Sequence, residues 1–574
     1  MNQAIAILAA VSASAISYPS LAQAPEEPVD HIIVTGARAP ISINALGSAV
    51  TVFTRDEIER RQARYVTDLL RTVPGFAVSQ SGTQGAQTQV RVRGAEANHV
   101  LVLIDGARAN DPASGDEFRW EFLSTANIER IEIVRGPQSA IWGSDAVAGV
   151  VNIITRSGGP ASADAYVETG SMDTLNAALN GTTGGERWNL GFSVEHLSTD
   201  GTNISRTGTE NDAADATTAS LSVSLDASES VSISIGARRV DALSQYDNID
   251  YIATGLPADS DVALDTLQDY AHIGLSAGTD ESRTRHHLYA RWFDSENRNL
   301  VAGSEDISTL SDRLSLSYQA DIRLGQDRLS LALEHEQTRF EQQGPVGFGD
   351  PNQQQDMNVS SVVLDYEGHA GEGFTWLASA RYDANSVFDD AVTGRLSVAW
   401  SLDADTHLRA NVGTGRKNPT FIELYGYYPG QFTPAELEPE TSVSWELGIE
   451  QRLVSGVSLQ LTAFHQDLEN EINGFVFDPV TFMATADNMA GSSRRTGTEV
   501  VLLWDVSQAL SLAANYTYVD SKADDQREVR RPRHAGSIDV DYSFLNERAQ
   551  LAVTATYGGT RADTFFPPWP NPPE

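Results

Sequence analysis

The sequence predicts a mainly-β protein, with a small N-terminal α+β domain followed by a large antiparallel transmembrane β-barrel. Three observations carry this expectation. The chain has 574 residues, too many for one ordinary core. It contains no internal run of about 18 apolar residues, so helical spans are not expected. From about Ala163 onward, segments that alternate apolar and polar residues recur at short intervals. Leu221–Leu225, Val231–Ile235, Leu314–Tyr318 and Leu510–Tyr518 are examples. Short turns at one end and long polar loops at the other suit a barrel in an outer membrane. Its lumen-facing residues are polar, which explains a mean hydropathy of only −0.27.

The chain opens on Ala4–Ile16, an apolar stretch too short to act as an anchor. Small residues at Ser20 and Ala22 suit export-signal cleavage after Ala22, so residues 1–22 read as a signal. Met1-Asn2-Gln3 lacks the usual basic residues, so the true start codon is open. Residues 23–36 form an acidic, proline-containing linker that ends in the β-prone run Asp30-His31-Ile32-Ile33-Val34-Thr35-Gly36. Val50–Phe53 reads as a strand. Thr54 then caps a helix, with Glu57 completing a capping box. Asp68–Val73 reads as a helix that Pro74-Gly75 stops, with a strand from Phe76. Gln89–Gly94 is an alternating strand and Val100–Gly106 a buried one. Ile131–Val134 and Val150–Thr155 are two more, with a turn at Arg135-Gly136-Pro137 after the first. Two polar loops, Ser79–Gln89 and Arg108–Asp116, join these pieces.

Composition excludes several functions. A net charge of −38 argues against a nucleic-acid partner. It fits solubility, or cation binding where acids cluster in loops. The absence of cysteine removes disulfides, thiolate metal sites and thiol nucleophiles. His99, His196, His286, His287, His465 and His534 lack metal spacing, and no catalytic motif stands on a strand–helix junction. No enzyme is expected.

Five landmarks follow one another in the α+β domain: VPGF at Val73–Phe76, VRVRG at Val90–Gly94, HVLVLIDGARAN at His99–Asn110, IEIVRGP at Ile131–Pro137 and GSDAVAGVVNIIT at Gly143–Thr155. In this order and spacing they resemble the plug domain of TonB-dependent outer-membrane receptors, most closely the cobalamin transporters. The resemblance implies a plug at 37–158 inside a transmembrane barrel at 159–574. It implies a monomer in the outer membrane, driven by TonB and its inner-membrane complex, that imports cobalamin or another corrinoid. A siderophore or haem receptor is the alternative within the fold. A passive porin-like or adhesive barrel is the alternative outside it. Barrels of this family have 22 strands, whereas about 19 are countable here, the last at Leu551–Tyr557. The tail Phe565–Glu574 holds five prolines and cannot form a central strand. The expectation is therefore a C-terminally incomplete barrel: a fragment, a frameshifted product or a decayed gene.

The resemblance also assigns residues. Asp30–Gly36 stands where the TonB box stands, the segment that TonB grips as an added strand. Ligand contacts fall on Gln87, Gln89, Glu96, Ser114 and Gly115. Plug arginines Arg93 and Arg135 are expected to pair with barrel residues Glu446 and Glu499. A structural calcium is expected between two extracellular loops, on Asn203, Asp212, Asp215, Asp241 and Asp247, with Glu210, Asn211 and Asp250 nearby.

Overall fold

The computed structural model describes residues 32–33 and 35–568, except 207, 280, 348–349, 428–431, 435, 479, 481–482, 547 and 566. The export segment, and Asp30, His31 and Val34 of the expected box, lie outside the described residues.

The plug is built on a five-stranded sheet. Its order is Val50–Thr54, Ile128–Arg135, Gly149–Thr155, Val100–Ile104, Ala107–Arg108. Val100–Ile104 and Gly149–Thr155 run parallel, and the other neighbours are antiparallel. The run Val-Leu-Val-Leu-Ile is buried along its whole length, as a strand covered on both faces must be. Val102, Ile131, Ile133, Val151 and Ile153 pack with Phe53, Leu69 and Leu70 in one core. Each such side chain contributes roughly 1.5–3 kcal/mol by leaving water.

Helix Arg55–Arg61 is capped by Thr54, whose Oγ1 accepts the Glu57 N–H at 3.4 Å. Only half of the expected capping box forms, because the Glu57 carboxylate takes Arg61 at 2.7 Å instead. The second helix is Val66–Leu70, earlier than the expected Asp68–Val73. Asp68 accepts the Tyr65 N–H at 3.2 Å and so fixes the start upstream. A hairpin, Phe76–Gln80 with Thr88–Val92, carries the first apical loop.

Around the plug runs a 20-stranded antiparallel sheet, from Ser162–Thr169 to Ala549–Gly558. One member, Gln526–Arg527, has only two residues, so nineteen are long. The first and last strands are the sheet's edges; no pairing joins them among the described residues. Strand lengths are unequal. Pro257–Ala277 and Ser304–Leu324 have 21 residues each, His534–Phe544 has 11 and Ala549–Gly558 has 10.

The alternation has a physical reading. Leu221, Ile235, Leu314, Leu316 and Leu333 point outward and are exposed, while Ser311, Arg313, Ser330 and Ser361 point inward and are buried. Trp188, Trp400, Trp504 and Tyr542 are exposed near the strand ends on the side of the short turns. That arrangement is the aromatic girdle of a barrel in lipid. Among the described residues no helix is long and apolar enough to cross a membrane.

Candidate functional site

The plug is tied to the wall by buried charges. Strand Thr88–Val92 ends at Arg93, a non-glycine residue with φ of 53°. That strained turn throws the guanidinium sideways into the wall. Arg93 lies 2.6 Å from Glu446 and 2.8 Å from Glu499, and 4.4 Å from the Phe464 ring centroid. Arg135 reaches Glu499 at 3.0 Å and the Pro74 carbonyl at 3.0 Å. Glu446 also accepts the Ala49 N–H at 2.7 Å. The structure thus brings together all four residues that the family resemblance assigned to ion pairs. Burial lowers the Arg135 pKa to about 10 against the pull of Glu499, with Arg93 repelling it. For Arg93 the balance reverses: burial opposes charge, but Glu499 and Glu446 outweigh it. Gly75 has no substitute here. Its φ is +81°, and a Cβ would sit 2.6 Å from Glu499 Oε1.

Three further ties went unread in the sequence. Lys417 Nζ stands 2.8 Å from Asp116 and 2.9 Å from Asp145. Burial would raise the Asp145 carboxyl, but Lys417 and Arg108 bring it down to about 2. His99 Nε2 meets Glu440 at 2.6 Å. Glu96, expected at the ligand, meets Arg531 of an outer loop at 2.5 Å. Burial opposes its charge, yet Arg531 and Arg91 hold it at about 2. Inward parity was the available signal for Glu440: along Glu440–Val454, Val443, Trp445 and Leu447 face out, so Glu440, Ser442 and Ser444 face in.

The other expected ligand residues lie near the plug apex. Gln87 is exposed. Gln89 Nε2 donates to Glu117 at 2.8 Å and its Oε1 accepts from Arg91 at 2.8 Å. Ser114 and Gly115 close a short 3-10 turn that Asp111 caps. These residues share one end of the plug without forming a single pocket.

The calcium set does not converge. Asp212 is buried and accepts the Ile204 N–H at 3.2 Å. Burial raises its pKa, and Asp247 and Asp259 add to the rise. Asn203 donates to Asp259, a residue outside the expected set, at 2.9 Å. Asp215 and Asp241 lie exposed, opposite in facing to Ala216 and Ala242, which pack inward on Phe122. A register shift between Tyr246 and Asn248 breaks the parity that would have put Asp247 on the same face as Asp241. Asp250 accepts the Ile252 and Ala253 N–H groups of its own turn. Among the described residues the three carboxylates that do converge are Glu96, Glu471 and Glu528, and Arg495 and Arg531 neutralise them.

The described part of the box is short. Ile32 and Ile33 pair with Ser42 and Ile41. Thr35 is fully buried: its hydroxyl donates to Glu132 at 2.6 Å and its carbonyl accepts Trp142 Nε1 at 3.0 Å. The Gly36 carbonyl accepts Arg395 of the wall at 2.8 Å. Between plug and wall stands a cavity open to solvent. Arg108, Trp142 and Asp145 line it from the plug, and Arg291, Glu334 and Arg381 from the wall.

A small α+β domain is thus held inside a β-barrel by buried ion pairs. Residues 158–572 match the family described as TonB dependent receptor-like, beta-barrel, and residues 42–150 match the TonB-dependent Receptor Plug Domain. The chain belongs to the TonB-dependent receptor family. Receptors of this family are outer-membrane transporters that work with TonB, and they are not enzymes. Among solved structures the receptor resembles the siderophore receptor PirA from Acinetobacter baumannii, at 19% identity and a TM-score of 0.74, covering 89% of this chain and 86% of that one. It resembles a mutant of the ferric enterobactin receptor PfeA from Pseudomonas aeruginosa at 18% identity and 0.76, covering 89% and 86%. It resembles P. aeruginosa FpvA, bound to a heterologous pyoverdine, at 12% and 0.74, covering 93% and 79%. The expected kinship to cobalamin transporters in particular is not what these neighbours display.

Proposed function

We propose that this receptor imports a ferric siderophore across the outer membrane with energy delivered through TonB. One observation carries the reading: of the five arginines that line the open cavity, Arg108, Arg313 and Arg381 are paired with its carboxylates, whereas Arg291 and Arg416 have none at ion-pair distance among the described residues. Arg291 donates to Ser317 at 3.1 Å and stacks on Tyr289. Arginine suits oxygen-rich anionic ligands such as ferric catecholates, since it presents several donors in a fixed plane. The ferric enterobactin named for PfeA and the pyoverdine named for FpvA agree with this chemistry.

A second reading, corrinoid import, rests on the ordered landmarks from Val73 to Thr155 and on the acidic grouping of Glu210, Asp212, Asp247 and Asp259, which repel one another. Calcium there would relieve that repulsion. The test expresses the chain in cells stripped of their own iron and corrinoid receptors. Iron-labelled ferric enterobactin and cobalt-labelled cyanocobalamin are supplied separately, with TonB present or deleted. TonB-dependent iron accumulation supports the siderophore reading. Cobalt accumulation alone overturns it in favour of the corrinoid.

A further inference from the structure

The outward face of the barrel carries one row of cations that its own carboxylates leave unbalanced. Ser493 and Arg495 point inward and are buried, so Arg494 between them points out. Lys522 follows the buried Ser521 and points out as well. In register, Arg494 lies opposite Lys522, and Lys522 lies opposite Arg527. Like charges placed directly opposite destabilise a sheet. The row is nevertheless built stiffly. Asp524 and Asp525, with φ of 48° and 60°, close Lys522 and Arg527 into a two-residue hairpin. The nearby acids are mostly engaged: Asp520 takes Arg533 at 2.6 Å, and Asp467 takes His465 at 3.0 Å. Lys522 stands 3.9 Å from Asp520, and Arg494 stands 4.0 Å from the exposed Asp525. Among the described residues Arg527 has no carboxylate at ion-pair distance. Outward arginines elsewhere are matched more closely. Arg239 donates to Asp269 at 2.7 Å, Arg298 meets Asp265 at 2.8 Å and Arg339 meets Asp312 at 3.3 Å.

The height of the row identifies its partner. Trp504 belongs to the girdle at the short-turn end of Ser493–Ser507, and Arg494 lies ten residues further up the same strand. At the usual rise and tilt that is about 25 Å, the height of the apolar band, so the row stands at the head groups of the outer leaflet. Beneath it the Tyr518 and His534 rings lie 5.4 Å apart, and the Tyr516 hydroxyl meets His534 Nδ1 at 2.7 Å. Tyr516 and Ile538 are exposed on the same face, and Gly536, opposite Tyr516, leaves the backbone bare between them. Read downward, the surface gives cations, then aromatic edges, then apolar wall. We propose that Arg494, Lys522 and Arg527 hold the phosphate of an anionic lipid in the outer leaflet, whose chains lie along Tyr516 and Ile538. Arginine grips phosphate oxygens with paired donors, and lysine adds a point charge. The net charge of −38 repels anionic head groups in general, so this row fixes one place at which such a lipid approaches the barrel.

The test uses lipid alone, so its failure is distinct from failure of the uptake assay. The full chain is placed in nanodiscs of equal phosphatidylglycerol and phosphatidylcholine. It is then released gently into neutral detergent, and the lipids it retains are counted by native mass spectrometry. The native chain should retain phosphatidylglycerol over phosphatidylcholine by about fivefold, the worth of one unmatched cation beside an anionic head group. Arg494→Gln, Lys522→Gln and Arg527→Gln together should bring the ratio to about one. Arg527→Gln alone, on the exposed hairpin, guards against misfolding of that variant and should lower the ratio roughly twofold. Lys522→Arg should preserve it. Arg239→Gln, Arg298→Gln and Arg339→Gln together remove the same charge from matched arginines and should leave it unchanged. Excess glycerol phosphate should not displace the lipid. Equal retention of the two lipids by the native chain overturns the proposal, as does an unchanged ratio when the row is neutralised. An equal loss in the matched control overturns it too, because the effect is then one of overall charge. Displacement by glycerol phosphate also overturns it, because the site is then one for a free anion.

Discussion

Glu499 holds two plug arginines at once, at 2.8 and 3.0 Å, in a site almost closed to water. Such a site adds little net stability over an apolar one, but breaking it leaves buried charge unmatched. Glu499→Gln should therefore weaken plug seating by about 3–5 kcal/mol. A fluorophore on the plug, followed through urea titration, should show release at lower urea while barrel unfolding is unmoved. An unchanged release midpoint would refute the role. Glu96 gives a pH expectation. Its folded pKa, about 2, lies below the ordinary value near 4.3. A depressed carboxyl stabilises fully above its unfolded pKa, and that share is lost as pH falls through the folded one. The tie to Arg531 should hold from neutral pH to about pH 4.3 and loosen between there and about pH 2. Spin labels in the 94–98 turn and the 528–533 loop should separate in that window alone.

Among elements, the N-terminal strand carries the most consequence for two residues. Ile33 pairs with Ile41 inside the plug, and TonB must compete for the same backbone groups. Ile33→Pro removes a donor and should abolish accumulation of labelled ligand while sparing binding at the cell surface. Accumulation at the native level would contradict the box assignment. The plug's elements were legible in sequence because each has a local cause: an apolar run at Val100–Ile104, a cap at Thr54, a stop at Pro74-Gly75. The loop site was less legible because facing depends on register. Asp241 and Asp247 are six residues apart and would share a face, but the irregularity at Asp247 puts them out of step. The Arg38–Glu334 and Glu96–Arg531 contacts join residues hundreds of positions apart, and no local pattern announces such pairs.

For the whole molecule, the outward face sets the membrane requirement. Leu316 is 45% exposed within the apolar band. Leu316→Arg should cost up to about 2–4 kcal/mol, as a cation facing lipid does near the midplane. Folding into phosphatidylcholine vesicles, read by heat-modifiable migration, should show the loss. Ser315→Arg faces the lumen and should spare insertion. The barrel was legible as a class because period two survives averaging, and the expected count of about 19 long strands agrees with the sheet. How the plug meets the wall was not, since a lumen charge reads the same whether water or the plug lies opposite it.

The unequal strands shape how anything reaches this molecule. Lengths of 21 against 11 residues differ by ten, which at the usual rise and tilt makes one side stand about 20–25 Å taller. The rim of the strands is therefore cut obliquely, like a quill. A diffusing particle that comes in over the low side strikes a parapet rather than open water, and the foot of that parapet is where Arg291 and Arg313 wait. An antibody or phage fibre that grips the parapet from behind would leave the doorway clear, whereas one that leans in from the low side would stand in it.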